Sequence, residues 1–129
     1  MNNGGEAMGT FHTSGRVRNI VDRQQQAELA ALLVDTGSEY TWIPAGVLEL
    51  IGIQREKKDP QFSMANGSII TRSVGFAIID VAGTFTIDEV VFGEPGDLTL
   101  LGARSLEGLN LRVDARQKTL VAAGPMPAA

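Results

Sequence analysis

Cysteine is absent from the 129 residues. That excludes disulfides and thiolate-bound metal, and it leaves the redox compartment open. Histidine occurs once, as His12. With no cysteine and no second histidine to join it, His12 is a poor start for a metal site. Ser63 and Ser105 lack the histidine of a nucleophilic triad unless His12 meets one of them. No apolar run nears the roughly 20 residues of a membrane span, so no membrane partner is expected. The net charge is −4 and no basic stripe exists, so nothing points to nucleic acid. Arg16, Arg18, Lys57 and Lys58 read as solvated positions. The carboxylates of Asp88-Glu89 and of Glu94 to Asp97 lack calcium-loop spacing. Gly4-Gly5 has no strand before it and no Lys-Ser/Thr after it, so it is no phosphate loop.

Aromatics are few, at 5% of the chain, while glycine numbers 15. That balance suits a β-rich chain with many tight turns. The length fits one domain that can bury a core without staples. The reading is a mobile extension over 1–8, a folded domain over 9–122 and a tail over 123–129, where Pro125 and Pro127 stop regular structure. Met8 followed by Gly9 reads as a second potential start. Met1 to Glu6 lacks the charged and apolar parts of a signal peptide, which sets a cytoplasmic expectation.

Along the chain, Thr10 to Asn19 alternates weakly and predicts a strand, followed by a polar loop over Val21 to Gln26. Ala27 to Val34 is apolar but for Glu28, which predicts a strand buried on both faces. Tyr40 to Ile43 predicts a short strand, and Pro44 opens a helix that Gly52 ends. Phe62 to Ala65 and Ser68 to Ile79 predict two strands joined through Asn66-Gly67, a hairpin signal because both residues tolerate positive φ. A second hairpin turns near Ala82-Gly83. Leu98 to Leu101 predicts a strand, Ala103 to Glu107 a helix, and Leu109 to Val113 with Thr119 to Ala122 a last pair of strands. Leu48-Glu49-Leu50-Ile51-Gly52-Ile53 resembles Leu106-Glu107-Gly108-Leu109-Asn110-Leu111, a hint of duplicated architecture in which Gly52 and Asn110 take the left-handed position.

The most informative motif is Asp35-Thr36-Gly37, directly after Leu32-Leu33-Val34 and before Ser38. It sets a carboxylate at the exit of a buried strand, in a turn that calls for a small residue. Aspartic proteases use such a turn, and two of them make one site. This chain holds one Asp-Thr-Gly and is too short for two lobes. A protease built from it therefore needs two copies.

Leu33-Val34-Asp35-Thr36-Gly37-Ser38, then Ala65-Asn66-Gly67-Ser68, then Leu100-Leu101-Gly102 occur in the order of the retropepsin-like aspartic proteases. The chain resembles their small prokaryotic single-domain members. Gly102-Ala103-Arg104-Ser105-Leu106-Glu107 and Leu111-Arg112-Val113-Asp114 add to the likeness, which spans about 9–122. The resemblance implies an all-β closed barrel with a flap hairpin and one or two short helices, acting as a homodimer on a peptide or protein substrate with no cofactor. It implies Asp35 from each protomer as the catalytic pair, Thr36 bonding across the dimer and Gly37 donating its N–H to the carboxylate. It makes Phe62 to Ile79 the flap, with Met64, Ala65, Asn66, Gly67 and Ser68 nearest the substrate. Ser38 and Glu39 would support the site. A hydroxyl at Ser38 can donate to the ionised Asp35. Retroviral members pair an acidic residue at the Glu39 position with an Arg just after the late Gly. Here Ala103 follows Gly102 and Arg104 comes next, so a Glu39–Arg104 pair and a solvated Glu39 stand side by side. The rival functions are a catalytically silent dimerisation or peptide-binding module on this fold, and an unrelated barrel with a chance Asp-Thr-Gly.

Overall fold

Short apolar runs in this chain feed two cores at once. The computed structural model describes residues 10–128, so the expected 1–8 extension lies outside the described residues. In chain order the elements are β1 (Thr10–Arg18), β2 (Gln26–Asp35), β3 (Thr41–Pro44), α1 (Ala45–Leu50), β4 (Gln61–Ser63) and β5 (Ile69–Thr71). Then follow β6 (Val74–Val81), β7 (Thr84–Gly93), β8 (Leu100–Leu101), α2 (Ala103–Leu109), β9 (Leu111–Asp114) and β10 (Thr119–Ala122). Six strands close a barrel in the order β1-β2-β8-β3-β7-β6, and β6 pairs back to β1. β4–β5 and β9–β10 are separate hairpins.

Successive side chains on a strand point to opposite faces. Leu32 and Val34 of β2, Ile43 of β3, Val90 and Phe92 of β7 and Leu101 of β8 enter the barrel core with Leu48 and Leu106 of the helices. Their neighbours Leu33, Trp42, Val91 and Leu100 form a second apolar cluster with Val74, Tyr40, Phe62 and Ile70. Runs such as Val90-Val91-Phe92 are continuous because both faces are covered. The second cluster floors a groove described below.

β2 departs from the expectation of burial on both faces. Only its last third is covered twice; Glu28, Ala30 and Ala31 are exposed. The pairing with β1 slips between Thr13 and Gly15, a bulge that leaves two β2 residues opposite one. Gly15 faces Leu32 and the Asp80 carbonyl so closely that a Cβ would lie 2.9 Å from each.

The expected strand from Ser68 to Ile79 is two strands. Arg72 N–H still donates to Pro60 O at 3.2 Å, on the β4 side. One residue later Ser73 O accepts from Phe92 N–H at 2.9 Å, on the β7 side. The chain changes partner there, so the hairpin that projects runs only from Gln61 to Thr71.

The loop at Asn66-Gly67 also differs. Gly67 has φ +89°, but Asn66 is not in the left-handed region. Gly67 N–H donates to Met64 O and Met64 N–H to Ser68 O, while Asn66 Oδ1 accepts from both Ser68 N–H (2.9 Å) and Ser68 Oγ (2.7 Å). Asn66 thus serves through its side chain, leaving one positive-φ residue in a longer turn. The two-residue turn with two positive φ angles is at Ala82 (53°) and Gly83 (80°), between β6 and β7.

Pro44 closes β3 and stands just before α1, and Gly52 follows α1 at φ +79°. Asn110 caps α2 in the left-handed region, as its alignment with Gly52 suggested. Arg18 is not simply solvated: Nε and Nη2 bind both oxygens of Asp80 at 2.7 and 2.8 Å. Arg16 pairs with Glu28 and Lys57 with Glu89. Among the described residues no helix is long and apolar enough to cross a membrane.

Candidate active site

β2 ends at Asp35 because its partners change there. Leu33 and Val34 pair with Leu100 and Leu101 of β8, and beyond them the backbone turns on itself, with Ser38 N–H donating to Asp35 O at 3.1 Å. Asp35 is half-buried, whereas Thr36 and Gly37 are exposed. Gly37 N–H donates to Asp35 Oδ1 at 3.0 Å. A Cβ on Gly37 would sit 3.3 Å from that oxygen, with no positive φ involved. The glycine therefore serves close approach of its amide to the carboxylate.

The Ser38 hydroxyl makes no hydrogen bond to Asp35 among the described residues, contrary to the expectation from its chemistry; the carboxylate's donor is Gly37. Ser38 is held by its backbone instead, as donor to Asp35 O and as acceptor from Ala103 N–H at 2.7 Å. Arg104 N–H likewise donates to Glu39 O at 3.1 Å. The start of α2 thus clamps the loop that carries Asp35. Gly102 makes the clamp close: a Cβ there would fall on the Tyr40 carbonyl and 2.7 Å from Glu39 O.

Of the two alternatives for Glu39, the structure has the exposed one, with no ion pair among the described residues. The Arg104 guanidinium goes to Glu89 at 3.1 Å and lies over the Tyr40 ring at 4.8 Å.

Sequence reasoning missed a buried relay beneath this clamp. Thr41 and Ser105 are fully buried and their hydroxyls lie 2.6 Å apart. Ser105 Oγ donates to Asp88 Oδ2 at 2.9 Å, so its single hydrogen is used and Thr41 must be the donor to Ser105. Thr41 Oγ1 in turn accepts from Gly102 N–H at 3.0 Å. The chain runs from Gly102 through Thr41 and Ser105 to Asp88, each bond polarising the next. Ser105 has a structural role rather than a nucleophile's. Ser105→Ala is expected to cost about 1–3 kcal/mol in urea unfolding, because the buried Thr41 hydroxyl loses its acceptor.

Asp35, Gly37, Ser38 and Glu39 line one wall of a groove of about 680 Å³. Tyr40, Trp42 and Leu100 line it too, from the second apolar cluster. Phe62, Met64 and Ala65 of the projecting hairpin form another side, and Gly96 to Leu98 a third. Phe62 meets Tyr40 and Trp42 edge-on, with ring centroids 5.4 Å apart in both pairs. The hairpin root is thereby seated on the groove floor, while Met64 to Ser68 are exposed. Asn66, Gly67 and Ser68 do not line the groove in this form. Thr36 faces a different cavity, with Ala103, Leu106 and Leu111. His12 joins no group of three potential metal ligands among the described residues.

Arg72, at the end of the hairpin, grips Asp97 of the groove wall through Nε (2.7 Å) and Nη2 (3.1 Å). That bond holds the Asp97 carboxyl below the usual carboxylate range, and the Lys57 hydrogen bond does the same for Glu89. A lowered folded-state pKa adds stability that is full above the unfolded value of about 4 and fades as pH falls through the folded one. We expect wild type to be more thermostable than Asp97→Asn at pH 6, with the gap closing below about pH 4. Thermal midpoints at pH 3 to 6 check this.

A half-buried carboxylate in an Asp-Thr-Gly turn, facing a groove beneath a hairpin, is the layout expected of one half of an aspartic protease. No curated protein matches the chain. A family model described as aspartyl protease matches residues 25–104, well over half the chain and all of the site from β2 to the start of α2. The chain belongs to the aspartyl protease family, in its retropepsin-like branch.

Proposed function

We propose that this protein is an aspartic endopeptidase whose one active site lies between two copies of the chain, each supplying Asp35. One observation carries the reading: the one Asp-Thr-Gly carboxylate of the chain, bonded by the Gly37 amide, lines a groove with an apolar floor beside a projecting hairpin. Two carboxyls about 3 Å apart cannot both ionise, so the pair holds one proton. The ionised member takes a proton from a water as that water's oxygen bonds to the scissile carbonyl carbon. The protonated member gives its proton to the carbonyl oxygen. The tetrahedral diol then collapses: the amide nitrogen takes the proton that the first carboxyl gained from water, a diol hydroxyl returns its proton to the second carboxyl as the C–N bond breaks, and an acid and an amine leave with the pair again holding one proton. No cofactor and no covalent intermediate are needed.

Thr36 fits a role at the dimer axis, being exposed and facing away from the groove. Met64 to Ser68 form the tip of a flap that closes on an extended peptide and adds backbone hydrogen bonds. Ser38 and Glu39 support the site, Ser38 through its backbone. The catalytic domain spans about 9–122 and the last residues form a tail.

Cleavage of a mixed peptide library tests the reading, from acidic to neutral pH and at high protein concentration. Loss of cleavage in Asp35→Asn supports it. No cleavage by wild type despite a confirmed dimer would point instead to a silent peptide-binding module.

A further inference from the structure

We propose that Glu39 selects substrates carrying a Lys or Arg side chain near the scissile bond; this rests on the groove being a peptide site. The groove is lined by Asp35, Glu39 and Asp97, and among its described lining residues there is no Lys, Arg or His. These carboxylates are not equivalent. Asp97 is satisfied by both contacts with Arg72. Asp35 is reserved for the chemistry. Glu39 is exposed and has no ion pair or side-chain hydrogen bond among the described residues.

Arg104, adjacent to Glu39 through the backbone, is not available to its carboxylate. Arg104 shares a backbone bond with Glu39, yet its guanidinium pairs with Glu89, which also takes Lys57 at 2.7 Å. Asp88 is the fourth charge of this group, bonded to Ser105. Two cations and two carboxylates balance there, and Glu39 has no counter-charge among the described residues. The groove floor beside it is apolar, built from Tyr40, Trp42, Phe62 and Leu100. The substrate class that fits is a peptide with an apolar side chain on that floor and a basic one reaching Glu39.

Paired peptides differing only by Lys or Gln at each position flanking the cleavage point give the test. Wild type is expected to prefer the Lys member at one position by about fivefold at low salt, the upper range for an exposed ion pair. That ratio should shrink at 0.5 M salt, vanish in Glu39→Gln, and invert toward Glu-containing peptides in Glu39→Lys. Equal ratios in wild type and Glu39→Gln, with cleavage that still needs Asp35, overturn this inference and leave the protease reading standing. If wild type cleaves nothing, binding of the same peptides to wild type and Glu39→Gln, followed by fluorescence anisotropy, decides it. Tighter binding of the Lys peptide only with Glu39 present supports selection, and equal binding overturns it.

Discussion

Asp35→Asn is expected to lower peptide cleavage by about a thousandfold, within the usual range for loss of an acid–base group, while the protein stays folded. Asn matches Asp in shape and keeps an oxygen that can accept the Gly37 amide, now 3.0 Å from Oδ1. Asp35 takes part in no ion pair among the described residues, so no partner charge is stranded. What the change removes is the carboxylate that must accept a proton from water. The unfolding midpoint should move little while the cleavage rate collapses. A parallel loss of both would mean that Asp35 holds the turn together and does no chemistry.

Gly102→Ala is expected to cost about 3 kcal/mol or more, at the upper end for overpacking a filled core. Gly102 is buried with φ −91° and ψ 174°, an extended backbone that any residue adopts. The cost is therefore steric. The added methyl would strike the Tyr40 carbonyl, Tyr40 C at 2.5 Å and Glu39 O at 2.7 Å. These are backbone atoms of the loop that Ala103 and Arg104 clamp, and Gly102 N–H is tied to Thr41. The loop cannot yield without breaking the clamp. Urea unfolding measures the loss, and Gly124→Ala, where a Cβ would meet nothing but φ is +92°, gives a contrast. A Gly102→Ala protein as stable as wild type would remove close approach as the reason for this glycine.

The parts of the fold that local chemistry decides were legible in the sequence. The Asp35 turn, Gly52 after α1, the left-handed Asn110 and the Ala82-Gly83 hairpin each follow from one or two residues whose conformational preference is strong. The family followed from three such signals in order. The misses came from pairing between distant segments. In Ser68 to Ile79 the polar Thr71-Arg72-Ser73 coincides with the change of partner, but apolar residues resume at Val74, so the stretch reads as one strand. The Thr41–Ser105 bond joins residues 64 apart, and neither shows in a periodic pattern. Arg18 looked solvated because its partner Asp80 lies 62 residues away. The chemistry of Ser38 permits a bond to Asp35, but α2 clamps the backbone of its loop and among the described residues its hydroxyl does not reach that carboxylate, to which the Gly37 amide donates.

The central claim is that two chains share one site, and mixing tests it most directly. Wild type and Asp35→Asn protein, unfolded and refolded together at fixed total concentration, form mixed dimers at random. If each site needs two Asp35 carboxylates, activity follows the square of the wild-type fraction, and an equal mixture retains about a quarter of the wild-type rate. Activity proportional to the wild-type fraction, with about half remaining, would mean that one chain suffices and would contradict the account.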